Sequence, residues 1–288
     1  MSRIRLTADS TVDLSDTLVE ECGVEIIPLH ITMGEKTYAD GIDLTPQMVT
    51  DYFKENGTLA KSAAVSVGEY QEIFEKYAAR GEEVIHINIS AEMSACHQNA
   101  LLAAKEVPGI YPVDSRNLST GSGYLVMLAK KLIDEGGRTA AEIAEELRRA
   151  TPLVEASFVL DTLTYLYKGG RCSAVAALGA NMLKIHPCIR VKDGTMGLGK
   201  KYRGNMGRVV AQYVADSLEG RDDLDPSLIF ITHTAYCDPE MIQAACDSVA
   251  KVGVFERVEK TVAGCTITAH CGPNTLGVLF AHKPETKA

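Results

Sequence analysis

Serine and threonine hydroxyls collect where strand-like runs end or helix-like runs begin. The clusters are Asp9-Ser10-Thr11, Ser62 with Ser66, Ser90 with Ser94, and Ser115 with Ser119. In an open parallel sheet, ligands gather at the carboxyl ends of the strands. A helix that starts there offers unpaired N–H groups and partial positive charge. The guest suited to such an edge is an anion, a carboxylate or a phosphate. Each hydroxyl also has a plain structural reading as a helix cap. Ser66-Val67-Gly68-Glu69 is a capping box, and Ser94 precedes the helix-like Ala95–Lys105. From the residues alone both readings stay open.

Other chemistries fit less well. Gly194-Thr195-Met196-Gly197-Leu198-Gly199-Lys200-Lys201 nearly spells a phosphate-binding loop, but Lys201 stands where a magnesium-reaching Ser or Thr is needed. Asp193-Gly194 reads better as a turn. Gly121-Ser122-Gly123 lacks the spacing of a nucleophile elbow. No G-x-G-x-x-G follows a strand, which argues against a dinucleotide site. The pair Asp9 and Asp13 is too ordinary to mark an acid and a base. A serine nucleophile needs a base within hydrogen-bond reach. None is local, because His97 follows Ser94 on a helix and would point elsewhere. The eight cysteines form no C-x-x-C and no zinc spacing with histidine, so free buried thiols are expected and no metal. His233 and His270 each read first as structural. Lys168-Gly169-Gly170-Arg171 reads as a glycine helix cap with a basic last turn.

The elements that must hold these residues follow from hydrophobic patterning. Ile4–Ala8, Val24–Ile31, Val84–Ile89 and Gly109–Val113 are strand-like. Helices separate them: one opens at Thr45-Pro46, one at the Ser66 box, one at the Thr139-Ala140-Ala141-Glu142 box, and Leu118–Glu135 stops at Gly136-Gly137. The second half reads as a strand at Ser157–Leu160 and a short helix at Asp161–Tyr167. A hairpin follows around Asp193-Gly194, then a helix at Met206–Leu218, a strand at Leu228–Thr232, a helix from Asp238-Pro239, and a strand at Leu276–Ala281. Pro284–Ala288 reads as a loose tail. The expected fold is α/β in two domains. Residues 1–152 would form a mainly parallel, Rossmann-like sheet with flanking helices, and residues 153–288 a mixed α/β domain.

Composition sets outer bounds. The 288 residues are 46% hydrophobic and 23% charged, the balance of a core-forming globular chain. A net charge of −9 opposes nucleic-acid binding, and no helix-turn-helix signature supports a DNA-binding regulator. No window offers the roughly 18 uninterrupted apolar residues of a membrane span. Met1–Asp9 runs straight into a strand with no apolar signal core, so the expected location is cytoplasmic. Tryptophan is absent and phenylalanine scarce, so an apolar pocket would be lined mostly by aliphatic and Met side chains.

The order of several segments resembles the DegV family of bacterial fatty-acid-binding proteins. Asp9-Ser10-Thr11-Val12-Asp13-Leu14 is similar to its opening D-S-T-x-D-L, and Val113-Asp114-Ser115 with Ser119 and Gly121 to its V-x-D-S segment. Leu163 through Lys168-Gly169-Gly170-Arg171 resembles L-x-x-L-x-K-G-G-R-I, with Cys172 in place of Ile. Leu183-Lys184-Ile185-His186-Pro187 resembles L-x-I-K-P. His270-Cys271-Gly272-Pro273 resembles H-x-G-P-G, with Asn274 in place of the last Gly. The family's T-S-Q-P-S and S-G-T-Y-Q-S-A stretches align with Ser62–Ser66 and Ser94–Ala100. Both leading hydroxyls survive there, while Ala95, Cys96 and His97 replace Gly, Thr and Tyr.

The resemblance implies a lipid-binding carrier with no cofactor and no catalysis of its own. Ser62 and Ser94 would hold the carboxylate of a palmitate-like fatty acid. The tail would lie in a tunnel between or beneath the two domains. Arg171 and His270 would stand near the head group, facing a separate fatty acid kinase that forms the acyl phosphate in fatty acid metabolism. Burying fourteen methylenes would give a gross gain of roughly 11 kcal/mol before binding costs. The charged head must not be left unpaired. The alternative reading is a serine-dependent acyl- or phosphoryl-transfer enzyme using Ser62 or Ser94.

Overall fold

The computed structural model describes residues 3–173 and 185–284. Leu183 and Lys184 of the fourth motif and all but Pro284 of the expected tail lie outside them. The chain opens with β1 (Ile4–Asp9), α1 (Asp16–Cys22) and β2 (Glu25–Ile27). Next come β3 (His30–Met33), β4 (Lys36–Ala39), α2 (Pro46–Asn56), β5 (Lys61–Ala63) and α3 (Val67–Ala78). Then follow β6 (Glu83–Asn88), α4 (Cys96–Glu106), β7 (Ile110–Asp114), α5 (Ser119–Glu135) and α6 (Ala140–Ala150). Strands β2-β1-β6-β7 form an all-parallel sheet in that order. The expected caps are in place: Thr45 caps α2, and Ser66 and Thr139 close full capping boxes on α3 and α6.

One expected strand is two. Val24–Ile31 breaks at Pro28, which has no N–H to continue a ladder. Before it, β2 pairs with β1. After it, β3 leaves for a separate antiparallel sheet, β4-β3-β5. That small sheet was not readable from patterning, because β4 and β5 are short and mostly exposed.

The second half runs β8 (Val154–Leu160), α7 (Thr164–Gly169), β9 (His186–Lys192), β10 (Thr195–Tyr202), α8 (Met206–Leu218) and β11 (Leu224–His233). It closes with α9 (Pro239–Val252), β12 (Val258–Val262), α10 (Cys265–Cys271) and β13 (Thr275–His282). These strands form a mixed sheet in the order β10-β9-β8-β13-β11-β12. The near-phosphate-loop segment is β10 and its turn. Asp193 and Gly194 have φ of 51° and 80°, the left-handed pair of a tight hairpin. The hairpin tip is clasped by the other sheet's edge: Ser90 Oγ donates to the Gly194 carbonyl at 2.7 Å and Arg116 Nη2 to that of Asp193 at 2.6 Å.

A continuous core joins the two large sheets. Leu6 and Ile85 of the parallel sheet pack through Leu125 of α5 and Ile143 of α6 to Phe230 and Leu279 of the mixed sheet. Helix α5 begins with small residues because its first turns meet backbone. A Cβ on Gly123 would stand 2.8 Å from the Val12 carbonyl oxygen. Ser122 is buried there and bonded to Ser115, so it offers no nucleophile. Among the described residues no helix is long and apolar enough to cross a membrane.

Candidate functional site

Ser62 sits in the middle of β5, opposite Ile31 of β3, and not at the start of a helix. Ser94 stands just before α4, where Ala95 and not Ser94 occupies the cap position. The Ser94 hydroxyl accepts from the Cys96 N–H at 3.3 Å and donates to its sulfur at 3.2 Å. His270 lies in the last turn of α10, with Nε2 2.8 Å from Ser62 Oγ. Arg171 follows the Gly170 cap of α7, and its guanidinium donates to the Gly169 carbonyl at 2.8 Å. All four residues line one cavity of about 540 Å³. Much of the remaining wall is apolar, with Leu29, Ile89 and Leu118 from the first half and Leu166, Met196 and Ile267 from the second. A volume near 540 Å³ lies within the roughly 300–1,000 Å³ of small-molecule sites.

Helix α10 carries one wall of the cavity, and buried carboxylates anchor it. Asp40 Oδ1 accepts from the Cys265 N–H at 2.9 Å. Its Oδ2 accepts from the Thr266 N–H at 3.1 Å, from Thr266 Oγ1 at 2.6 Å and from Ser10 Oγ at 3.0 Å. Asp13 accepts from the Gly264 N–H at 2.8 Å and from Ser119 Oγ at 2.5 Å. Burial pushes the Asp13 carboxyl up to about 8, against the two hydrogen bonds that favour its anion, and nearby Asp40 adds to the rise.

His270 is held neutral. Burial, helped by the Arg171 charge, pulls its imidazole down to about 4. Nδ1 is buried and has no hydrogen-bond partner among the described residues. Buried orphan N–H groups are rarer than orphan acceptors, so the proton belongs on Nε2. Nε2 then donates to Ser62 Oγ, and the Ser62 O–H is free to donate elsewhere. The two glycines of the Lys168–Arg171 segment do different work. Gly170, with φ of 69°, ends α7 as the expected cap. Gly169 gives clearance, since a Cβ there would stand 2.6 Å from His270 Nδ1.

Ser62, Arg171 and His270 also border an outer groove of about 600 Å³, which adds Lys61 and Lys168. These three residues therefore stand between an apolar interior and a basic surface. Most hydroxyls of the other clusters are engaged in structure, while the buried Thr11 Oγ1 has no partner among the described residues. Ser10 bonds Asp40 and the Leu29 N–H, Ser66 caps α3, Ser90 holds the hairpin, and Ser119 bonds Asp13. His97 turns to Asn88 at 3.1 Å and makes no pair with Ser94. All eight cysteines are free, and burial pushes Cys96 and Cys271 up to about 12. Among the described residues no three His, Cys, Asp or Glu side chains gather as a metal site. Sequence reading missed Thr266, Ile267 and the clearance at Gly169. Thr266 and His270, four apart, share a helix face, but α10 is too short for its periodicity to register.

Comparison with known proteins bears on this arrangement. A family profile described as "Uncharacterised protein, DegV family" matches residues 3–283. The chain belongs to the DegV family. It is 30% identical to a DegV domain-containing protein of Clostridium acetobutylicum, over 98% of this chain and 100% of the relative. Among solved structures it resembles a DegV family protein of Thermus thermophilus, described by its fatty acid binding, with a TM-score of 0.86 and 26% identity over 97% of this chain and 99% of that one. It also resembles DegV of Bacillus subtilis, described as a fatty acid binding protein, with a TM-score of 0.83 and 25% identity over 98% and 100% of the two chains.

Proposed function

We propose that this protein binds a long-chain fatty acid in the cavity between its sheets and acts as a carrier. The observation that carries the reading is the cavity's polarity: two serines, a neutral histidine and an arginine line a space whose remaining wall is largely aliphatic. The Thermus and Bacillus relatives, described as fatty acid binding, support the same ligand class. Ser62 and Ser94 would donate to the carboxylate, and Arg171 would offset its charge from the rim. A charge-assisted pair of this kind offsets the desolvation of the head. The tail would lie against Leu29, Ile89, Leu166 and Met196. With the carboxylate beside the basic groove, the carrier would present it to a separate fatty acid kinase for acyl-phosphate formation.

Among the described residues, the 2.8 Å contact between Ser62 and His270 is the feature that favours a serine enzyme. A catalytic histidine has a third group orienting its far nitrogen, and an efficient base titrates near the working pH. Nδ1 of His270 has no such partner among the described residues, and the ring titrates near 4. The contact suits donation to Ser62 better than abstraction from it.

Extraction of the purified protein, or native mass spectrometry, should find a C14–C18 acid at one per chain. The Ser62→Ala/Ser94→Ala variant should lose it, with affinity falling by about 1–3 kcal/mol per missing contact. A burst of p-nitrophenyl ester hydrolysis with one labelled serine, and no lipid ever retained, would overturn the carrier reading.

A further inference from the structure

Asp9 ends β1 fully buried and does not line the cavity, yet four donors converge on its carboxylate. Oδ1 accepts from the Tyr70 hydroxyl at 2.5 Å and from His86 Nε2 at 3.2 Å. Oδ2 accepts from the Asn88 side-chain amide at 3.2 Å and from the Ile89 N–H at 2.9 Å. Burial, then the Asp9 charge, keeps the Tyr70 phenol well above its ordinary value, so it serves as a donor. A buried network satisfied this fully is rigid.

The turn that carries Ser94 hangs from this network. Ile89, whose N–H Asp9 holds, follows β6 and enters the cavity wall. The chain then turns, with the Met93 and Ser94 N–H groups donating to the Ser90 carbonyl at 2.9 and 3.2 Å, and α4 begins at Cys96. On the other side of Ser94, His97 Nδ1 stands 3.1 Å from Asn88 Oδ1. Asn88 gives its NH₂ to Asp9 and so turns its oxygen to His97, which makes Nδ1 the donor. Cys96, bonded both ways with Ser94, adjoins the Tyr70 hydroxyl. Residues before and after Ser94 are thus tied to Asp9 or to a group that Asp9 holds.

We infer that Asp9 is a positioning residue for Ser94: through Ile89, Tyr70, Asn88 and His97 it sets the turn so that the serine hydroxyl meets the carboxylate of the bound acid. The inference rests on the fatty acid reading given above. Asp9 touches no ligand, and its effect falls on the head group and not on the tail. A carboxylate acting by its charge would repel a second one, so its removal would tighten binding. A carboxylate acting by position does the opposite.

The test is competition binding on the full chain with a straight-chain acid and the primary alcohol of the same length. Asp9→Asn keeps the shape but offers one acceptor oxygen and turns an NH₂ toward donors. It should weaken the acid roughly tenfold, the scale of one charge-assisted hydrogen bond. The alcohol, which loses only a neutral bond, should weaken by about threefold or less. In the Ser94→Ala background no hydroxyl is left to place, and Asp9→Asn should change acid binding no further. His97 is half-buried and gives a gentler test. His97→Ala should weaken the acid by about threefold, and His97→Asn, whose amide nitrogen replaces Nδ1, should restore it. Should Asp9→Asn fail to fold, the two His97 variants, each with and without Ser94→Ala, decide alone. Unchanged or tighter acid binding, equal losses for acid and alcohol, or an effect that persists without the Ser94 hydroxyl overturns the inference and leaves the carrier reading standing. Wild-type protein that binds no acid of any length overturns the carrier reading itself.

Discussion

A methyl group on residue 169 would stand 2.6 Å from the His270 ring, closer than non-bonded atoms allow. The ring would have to turn or withdraw, and Nε2 would leave Ser62. Gly169→Ala should therefore weaken fatty acid binding by about 1–3 kcal/mol, the scale of an unmet polar contact. Gly170→Ala makes the useful contrast. Among the described residues nothing lies within 4 Å of its added Cβ, but its φ of 69° strains any other residue. It should lower stability by about 1–2 kcal/mol and leave the binding constant near wild type. Isothermal titration of both variants, with urea unfolding beside it, separates the two roles. The sequence displays the two glycines as a pair. It does not show that one faces a histidine about a hundred residues later.

Helix α10 is the element on which the site depends most. It spans seven residues, too few to be stable by propensity alone. Its N-cap, Gly264, has no side chain to offer, and the carboxylate of Asp40, from a loop far away in sequence, serves instead, accepting three hydrogen bonds from Cys265 and Thr266 and one from Ser10. Asp40→Asn keeps the shape but presents only one acceptor oxygen and turns an NH₂ toward donors. It should cost about 2 kcal/mol or more in urea unfolding and should also weaken ligand retention, since α10 carries His270 and Ile267. A conservative change on an exposed cap, such as Thr139→Ser on α6, should do neither. The long, well-capped helices were legible because their signals are local. Helix α10 and the β4-β3-β5 sheet were not, because their stabilising partners come from elsewhere in the chain.

Across the whole molecule, Asp13 and His270 make stability depend on pH in opposite senses. His270 is pulled from 6.5 to about 4 in the folded state. Its contribution is complete above about 6.5 and is lost as pH falls toward 4, where the unfolded chain binds the extra proton. Asp13 is raised from 3.8 to about 8. The folded state holds that proton longer, so stability falls as pH rises from about 4 to 8 and levels off beyond. Between about 4 and 6.5 the two slopes oppose each other. From 6.5 to 8 only the Asp13 slope remains of the two, at up to about 1.4 kcal/mol per pH unit. Asp13→Asn should flatten that interval in a pH series of urea unfolding curves. A slope unchanged by the substitution would show that Asp13 is already ionised at neutral pH. Asp13 can act at this scale because it touches the starts of both α5 and α10, where the halves of the chain meet.

The sequence by itself determined the α/β class, the parallel and mixed strand runs, the long helices with their caps, and the exclusion of a phosphate loop at Gly194. Those features rest on hydrophobic period, capping chemistry and turn residues, all read within a few positions. The ordered motifs also singled out Ser62, Ser94, Arg171 and His270, without showing that they line one space. Only the tertiary structure decided that Pro28 sends one strand to a different sheet and that His270 reaches Ser62. It also decided that the His270 ring is buried, with a far nitrogen that has no partner among the described residues. These are relations across long stretches of chain. Burial and close approach arise when distant segments pack together, and no local pattern of residue types encodes the distance between them.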